Sequence, residues 1–156
     1  LWLHHIVACA SGTPTTSVQI GFNGVVQFVA LPPEQAAQYL SELVSLYALA
    51  WEQPLPVARK SACKYVSVCR SSDTDKYETR EQLTGAALSA AMQVFEGTHQ
   101  HTGEFEESTS LQRVFQEFAD IADQLPQWAD RIYGPIADHA HIMFADSSAV
   151  QEELES

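Results

Sequence analysis

Six histidines fall into three close pairs, His4-His5, His99-x-His101 and His139-x-His141. An imidazole can ligate a divalent metal or move a proton near neutral pH. Side chains one or two residues apart on a helix do not share a face, which weakens the first and last pairs, both in stretches with helical spacing, as two-ligand sites. His99 and His101 stand in a polar stretch beside Glu96, Glu104 and Glu106, where a solvated loop is favoured over a purposeful metal site. His4, on an apolar helix, reads as a core or interface histidine. Asp73-x-Asp75 opens like a calcium loop, but Glu78 stands where that loop needs Gly and Thr84 where it needs Glu. Serine nucleophile elbows, phosphate-cradling glycine loops and CxxC pairs are missing from the sequence. A nuclease of the PD-(D/E)xK type needs strand-borne carboxylates to hold Mg²⁺ and a Lys to polarise water. Neither expected strand contains Asp, Glu or Lys. No catalytic residue, metal ligand or cofactor is therefore assigned to this chain.

What stands out instead is a basic island. The net charge is −12, yet residues 59 to 80 hold six of the eight Lys and Arg against three acids. Residues 1 to 58 hold three acids and neither Lys nor Arg, and residues 81 to 156 hold fourteen acids and two Arg. Such an acidic balance argues against a free-standing nucleic-acid binder, which needs clustered cations to neutralise phosphates. Arg59, Lys60, Lys64, Arg70, Lys76 and Arg80, interleaved with Tyr65 and Tyr77, are the candidate contacts to a nucleic-acid backbone or an acidic partner, with a Tyr placed to stack. The competing reading is a solvated helix and loop that happen to carry the positive charge.

These residues must be positioned by a mixed fold. The 156 residues, 46% hydrophobic, suit one domain with a sizeable core. Residues 1 to 11 read as a buried helix stopped by Gly12, and because that helix is already under way at Leu1, the chain reads as a piece of a longer polypeptide whose upstream residues complete the fold. SVQIGF and VVQFVA flank Asn23-Gly24, a type I′ hairpin signal. That turn pairs Phe22 with Val25, Ile20 with Gln27 and Val18 with Val29, and gives both faces large apolar residues, so the hairpin is expected between layers. Ala36, Leu40, Leu43, Val44, Tyr47 and Trp51 recur at steps of three and four and predict a central, well-covered helix. Pro33 and Glu34 suit its start, and Pro54 and Pro56 stop it. Lys60 to Arg70 predicts a short helix with Ala62, Val66 and Cys69 inward. Ser71 to Thr79 reads as a loop, Arg80 to Phe95 as a helix ending at Gly97, and Thr98 to Ser110 as irregular. Leu111 to Ala122 predicts one amphipathic helix and Trp128 to Phe144 a last one, bent at Gly134-Pro135. Residues 146 to 156 read as an acidic, disordered tail beyond a domain of residues 1 to 145. No apolar run approaches the length needed to span a bilayer, and Cys9, Cys63 and Cys69 read as reduced, buried thiols of a cytoplasmic protein.

The order of segments is itself distinctive. WLHHIVACASG is followed by a Leu-Pro before a helix that runs into PLP-x-x-x-x-SA, and later by Phe95-Glu96-Gly97 and Gly103-Glu104. On these residues, over roughly 1 to 118, the chain resembles the C-terminal domain of the gamma chain of exodeoxyribonuclease V, the RecC family. The resemblance implies an α/β or α+β fold, a degenerate restriction-endonuclease-like core with a β-hairpin and about five helices, truncated at its N-terminus. It implies a non-catalytic scaffold within an ATP-dependent helicase-nuclease of double-strand break repair, recombination and DNA degradation. The partners implied are the beta and alpha chains, with DNA reached through the assembled complex, no membrane, and ATP and Mg²⁺ belonging to partner subunits. Two alternatives stand beside it: an active Mg²⁺-dependent nuclease whose ligands lie upstream of Leu1, and a stand-alone acidic interaction module.

Overall fold

A computed structural model describes residues 1–22 and 24–144. It is mixed helix and sheet, as expected, and divides into two compact units. One holds Leu1–Val44 together with residues 139–144, and the other holds Ser45–Asp138.

The first unit is built on α1 (Trp2–Ala10), which buries Trp2, His5, Ile6 and Cys9. Their spacing of three, one and three residues is one face of a 3.6-residue helix. The helix ends where expected, with Gly12 at φ 84° donating to the carbonyl of Cys9. Against α1 packs a three-stranded antiparallel sheet of order β1 (Ser17–Gly21), β2 (Gly24–Phe28) and β5 (His141–Phe144). Phe28 is buried, its ring 5.2 Å from Trp2 and 5.5 Å from His5. Opposite Phe28 lies Ser17, whose hydroxyl oxygen is 3.0 Å from His5 Nδ1.

That anchored Ser17–Phe28 pair explains a correction to the hairpin. Ile20 pairs with Val25 rather than Gln27, and Gly21 with Gly24, so the strands already pair at Gly21 and Phe22 lies in the turn. The expected Asn23-Gly24 turn type falls on Asn23, outside the described residues. Pairing partners slide by two, so each side chain keeps its face, but one face is bare: Val18, Ile20 and Phe22 are exposed among the described residues. The hairpin is thus covered on one side rather than sandwiched. The second correction is β5. Residues expected to continue the last helix instead pair with β2, Val26 opposite Ile142 and Val25 opposite Met143. An edge strand's open N–H and C=O groups provide a partner that local periodicity cannot reveal.

The second unit is organised around α3 (Arg59–Cys69) and α4 (Arg80–Glu96). Ala58 and Ala62 with Ala87 and Ala91 are fully buried, and such small side chains let two helices approach closely. Phe95 closes this layer, with Phe105 at 5.3 Å and Phe118 at 5.6 Å between ring centres. Ile121, Leu125 and Ala129 complete the core. A 3-10 turn (Ser72–Lys76) lies in the expected loop, and a two-residue-strand hairpin, β3 (Gly97–Thr98) and β4 (His101–Thr102), follows α4. The helix expected over 111 to 122 is broken into α6 (Thr109–Val114) and α7 (Ala119–Ala122). The Asp120 carboxylate accepts the N–H groups of Gln116 at 2.6 Å and Glu117 at 3.1 Å, a local alternative to the helical ladder that turns Phe118 into the core. The last helix, α8 (Leu125–His139), runs through Pro135 and ends before β5.

The helix expected to be central, α2 (Pro33–Glu52), is the largest correction. Ala36 and Leu46 are buried, but Val44, Tyr47 and Trp51 are exposed, Trp51 by 77%. Among the described residues nothing covers that stripe. The thiols also differ from expectation: Cys9 is buried, while Cys63 is exposed and Cys69 half-buried, all three free. No helix of the described residues is long and apolar enough to cross a membrane. The acidic stretch 146 to 156 lies outside the described residues.

Candidate functional site

The basic island does not form one strip; α3 distributes it among three clefts of the second unit. Arg59 and Lys60 open α3 beside Glu104 of the short helix α5 (Glu104–Glu107), in a cleft of about 400 Å³ that Val57 and Leu111 also line. Lys64 and Lys76 face a smaller one of about 190 Å³, where the Lys76 ammonium sits 5.4 Å from the centre of the Tyr77 ring. Arg70 and Arg80 line a third cavity of about 540 Å³, which Arg131 enters from α8.

The first cleft has the most exacting geometry. α3 starts at Ala58, which has no capping side chain, so its first N–H groups need another acceptor. Glu104 supplies it from far along the chain: one carboxylate oxygen accepts the N–H of Lys60 at 2.8 Å, and the other accepts both the N–H and the hydroxyl of Ser61 at 2.9 Å. A negative charge at a helix N-terminus is also favoured by the helix dipole. Glu104 is buried, and Lys60 makes an ion pair with Glu107 outside it.

Two glycines aim that carboxylate. Gly97 stops α4 at φ 86°, and a Cβ there would lie 2.5 Å from the Gly103 nitrogen. A Cβ at Gly103 would lie 2.4 Å from the carbonyl of Phe95. The two backbones are pressed together as only paired glycines allow, and the next residue is Glu104. The segment Phe95-Glu96-Gly97, the pair Gly103-Glu104 and the PLP-x-x-x-x-SA stretch therefore meet at one joint. Its hydrogen bonds hold a helix end. Among the described residues no three His, Cys, Asp or Glu side chains are grouped to hold a metal.

Tyr65 is not presented to stack on a base. It is 7% exposed, packed among Ala62, Val66 and Ala87, and its hydroxyl is pushed up to about 12, chiefly by burial and then by its contact with Cys69. Arg70 lies along α8: it donates to Asp138 at 2.9 Å and pairs with Asp130 at 2.7 Å, and these bonds hold its charged form above the usual guanidinium range. Buried Gly134, between the two acids, leaves room, since a Cβ there would be 3.0 Å from that guanidinium. Arg80 is exposed in the first turn of α4. Asp130 and Arg131 were not legible as neighbours of the island, because only the docking of α8 beside α3 brings them there.

A family model described as the RecC C-terminal domain matches residues 1–70, from α1 through α3. The RecBCD enzyme subunit RecC of Escherichia coli (strain K12) is 31% identical over 105 residues, which make up 67% of this chain and 9% of that protein. The chain therefore spans only a small part of its curated relative. It belongs to the RecC C-terminal domain family.

Proposed function

We propose that this domain is a non-catalytic scaffold piece of a RecBCD-type helicase-nuclease, which contacts the beta and alpha chains and helps guide a DNA strand in the assembled complex. The observation that carries this reading is the Glu104 joint. Residues on which the resemblance was read, Gly97, Gly103, Glu104 and Ser61, are occupied in closing a helix end, where Glu104 satisfies the N–H groups of Lys60 and Ser61. A part that holds a wall in place needs fixed helices more than it needs acid-base residues.

The restriction-endonuclease-like ancestry belongs to the same reading, with strands that carry none of the carboxylates such a nuclease requires. ATP and Mg²⁺ are then supplied and used by the partner subunits, in the cytoplasm. The bare Tyr47–Trp51 stripe supports the reading, because exposed aromatic residues at helical spacing are typical anchors of protein contact. Arg59, Lys60, Lys64, Arg70, Lys76 and Arg80 are the cations that would meet an acidic partner or a phosphate backbone.

The test is a pull-down by the alpha and beta chains, with wild-type chain and with Arg59, Lys60 and Lys64 reversed to Glu. Capture of the wild type and loss on reversal support the cationic contact. Capture unchanged by reversal removes the island from the scheme, and absence of any capture of the folded chain contradicts the scaffold reading.

A further inference from the structure

α2 carries two apolar faces, and the chain buries only one. Ala36 and Leu46 are buried, whereas Val44, Tyr47 and Trp51 are 60%, 65% and 77% exposed. With Ala37, exposed, and Leu40, half-buried, these three fall at steps of three, four, three and four. That repeat of 3.5 residues is the seam by which one helix packs against another, each side chain entering a hole in the facing helix. From Ala37 to Trp51 the seam runs about 21 Å, roughly four turns. A bare apolar strip that includes a Tyr and a Trp has the composition of a contact surface.

Charge states what kind of partner fits. Residues 1 to 58 contain three acids and neither Lys nor Arg, and all three acids, Glu34, Glu42 and Glu52, lie on α2. Glu34 and Glu52 are exposed; their spacing is about five full turns, so they stand on one line beside the seam. The Tyr47 and Trp51 rings, 6.0 Å apart between centres and nearly perpendicular at 85°, add the negative faces of two exposed π-systems. Such faces attract ammonium and guanidinium groups. A DNA strand here would set its phosphates against carboxylates, with no cation of the helix to offset them. A second copy would bring the same acids and a further net charge of −12. Lys and Arg complement this face, and neither of those two occupants supplies them to it.

We infer that this face of α2 docks a cationic amphipathic helix of a partner protein. The apolar side chains of that helix seat along Leu40, Val44, Tyr47 and Trp51, and its Lys or Arg side chains meet Glu34, Glu52 and the two rings. The inference rests on the scaffold reading for there being a partner, and deepens it by giving the chemistry of one contact.

Fluorescence anisotropy on the full chain tests it, with labelled helical peptides that carry Leu at steps of three and four and either Lys or Glu on both flanks of that stripe. The expected result is saturable binding of the Lys peptide, with the Glu peptide weaker by about tenfold or more. Trp51→Ala weakens the Lys peptide by about tenfold and Val44→Asn by about threefold, each with an unchanged melting curve. Glu34→Lys combined with Glu52→Lys weakens it by about threefold or more, while Gln38→Ala, exposed on the same helix but off the seam, leaves it unaltered. The pull-down by the alpha and beta chains keeps the two readings apart. Wild-type capture that persists in full with Trp51→Ala overturns the inference and leaves the scaffold role standing, and capture lost in Trp51→Ala supports it. Absence of wild-type capture contradicts the scaffold role, while peptide binding that Trp51→Ala weakens still supports the face as a docking surface for this chemistry. No saturable binding of the Lys peptide, a Glu peptide as tight, or full binding by Trp51→Ala overturns the inference. So does oligo(dT) binding that Trp51→Ala abolishes, or a dimer of the chain in sedimentation that Val44→Asn dissolves.

Discussion

Glu104 and Ser61 are joined twice: the same carboxylate oxygen accepts the serine's backbone N–H and its hydroxyl, each at 2.9 Å and both buried. The other oxygen takes the N–H of Lys60. A carboxylate from a distant turn thereby does what an N-cap side chain usually does from within the helix. Removing it leaves buried donors without acceptors, so Glu104→Ala should cost about 3 kcal/mol, Glu104→Gln less, and Ser61→Ala about 1 kcal/mol. Urea unfolding of the single and double variants would show a coupling of about 0.5–3 kcal/mol between positions 61 and 104. Additive losses would dissolve the joint as described.

The glycines that aim Glu104 make a separate prediction. Gly97→Ala combines a left-handed φ with a Cβ 2.5 Å from backbone, and Gly103→Ala puts a Cβ 2.4 Å from the Phe95 carbonyl. Each should destabilise by about 2 kcal/mol or more. Gly85, in the interior of α4 with open space around it, behaves oppositely: Gly85→Ala should stabilise by about 0.5–1 kcal/mol. Thermal melts of the three variants check the sign of each change.

The first unit should weaken in acid. His5 is buried in α1 between Trp2, Phe28, Ser17 and Cys9, and that burial, with the nearby His139, holds its pKa below the ordinary 6.5. The groups facing it are a hydroxyl, a thiol, the Val29 backbone, whose hydrogen bond works against the shift, and another imidazole; no carboxylate lies among these contacts. The unfolded chain therefore binds the proton more readily than the folded one. Stability contributed by neutral His5 is complete above pH 6.5 and falls as pH drops below it through the lower folded value. Denaturant titrations across this window should show that slope, and His5→Asn should flatten it.

Trp51 tests how α2 is used. The residue is 77% exposed, so Trp51→Ala should change the stability of the chain by no more than about 0.5 kcal/mol. A loss of about 3–5 kcal/mol, the usual result of truncating a buried aromatic residue, would mean the helix is covered after all.

The contrast between α1 and α2 shows what the sequence could convey. In α1 the face of Trp2, His5, Ile6 and Cys9 is buried and its partner, the β2 strand with Phe28, lies nearby in the chain, while Leu3 and Val7 on the other side are exposed, so the expected buried helix holds for one face. In α2 periodicity marks an apolar arc correctly, but it cannot say whether the covering surface belongs to the same chain. β5 and the split between α6 and α7 escaped for another reason: a non-local edge pairing and one aspartate's bonds to two N–H groups overrode patterns that were locally helical. The cations of the island were identifiable from charge alone. Their separation into three clefts, and the arrival of Arg131 beside Arg70 and Arg80, follow from helix docking that no spacing encodes. The string that carries the resemblance was readable, yet what Gly97, Gly103 and Glu104 do in this chain became apparent only when they were seen against Ser61.

The central claim is that this domain is a structural part and that cutting is done elsewhere. Incubation of the purified chain with single- and double-stranded DNA, in Mg²⁺ and separately in Mn²⁺, tests it most directly. The account predicts intact DNA at every protein concentration; metal-dependent cleavage that copurifies with the chain and vanishes on substitution of its own carboxylates would contradict it.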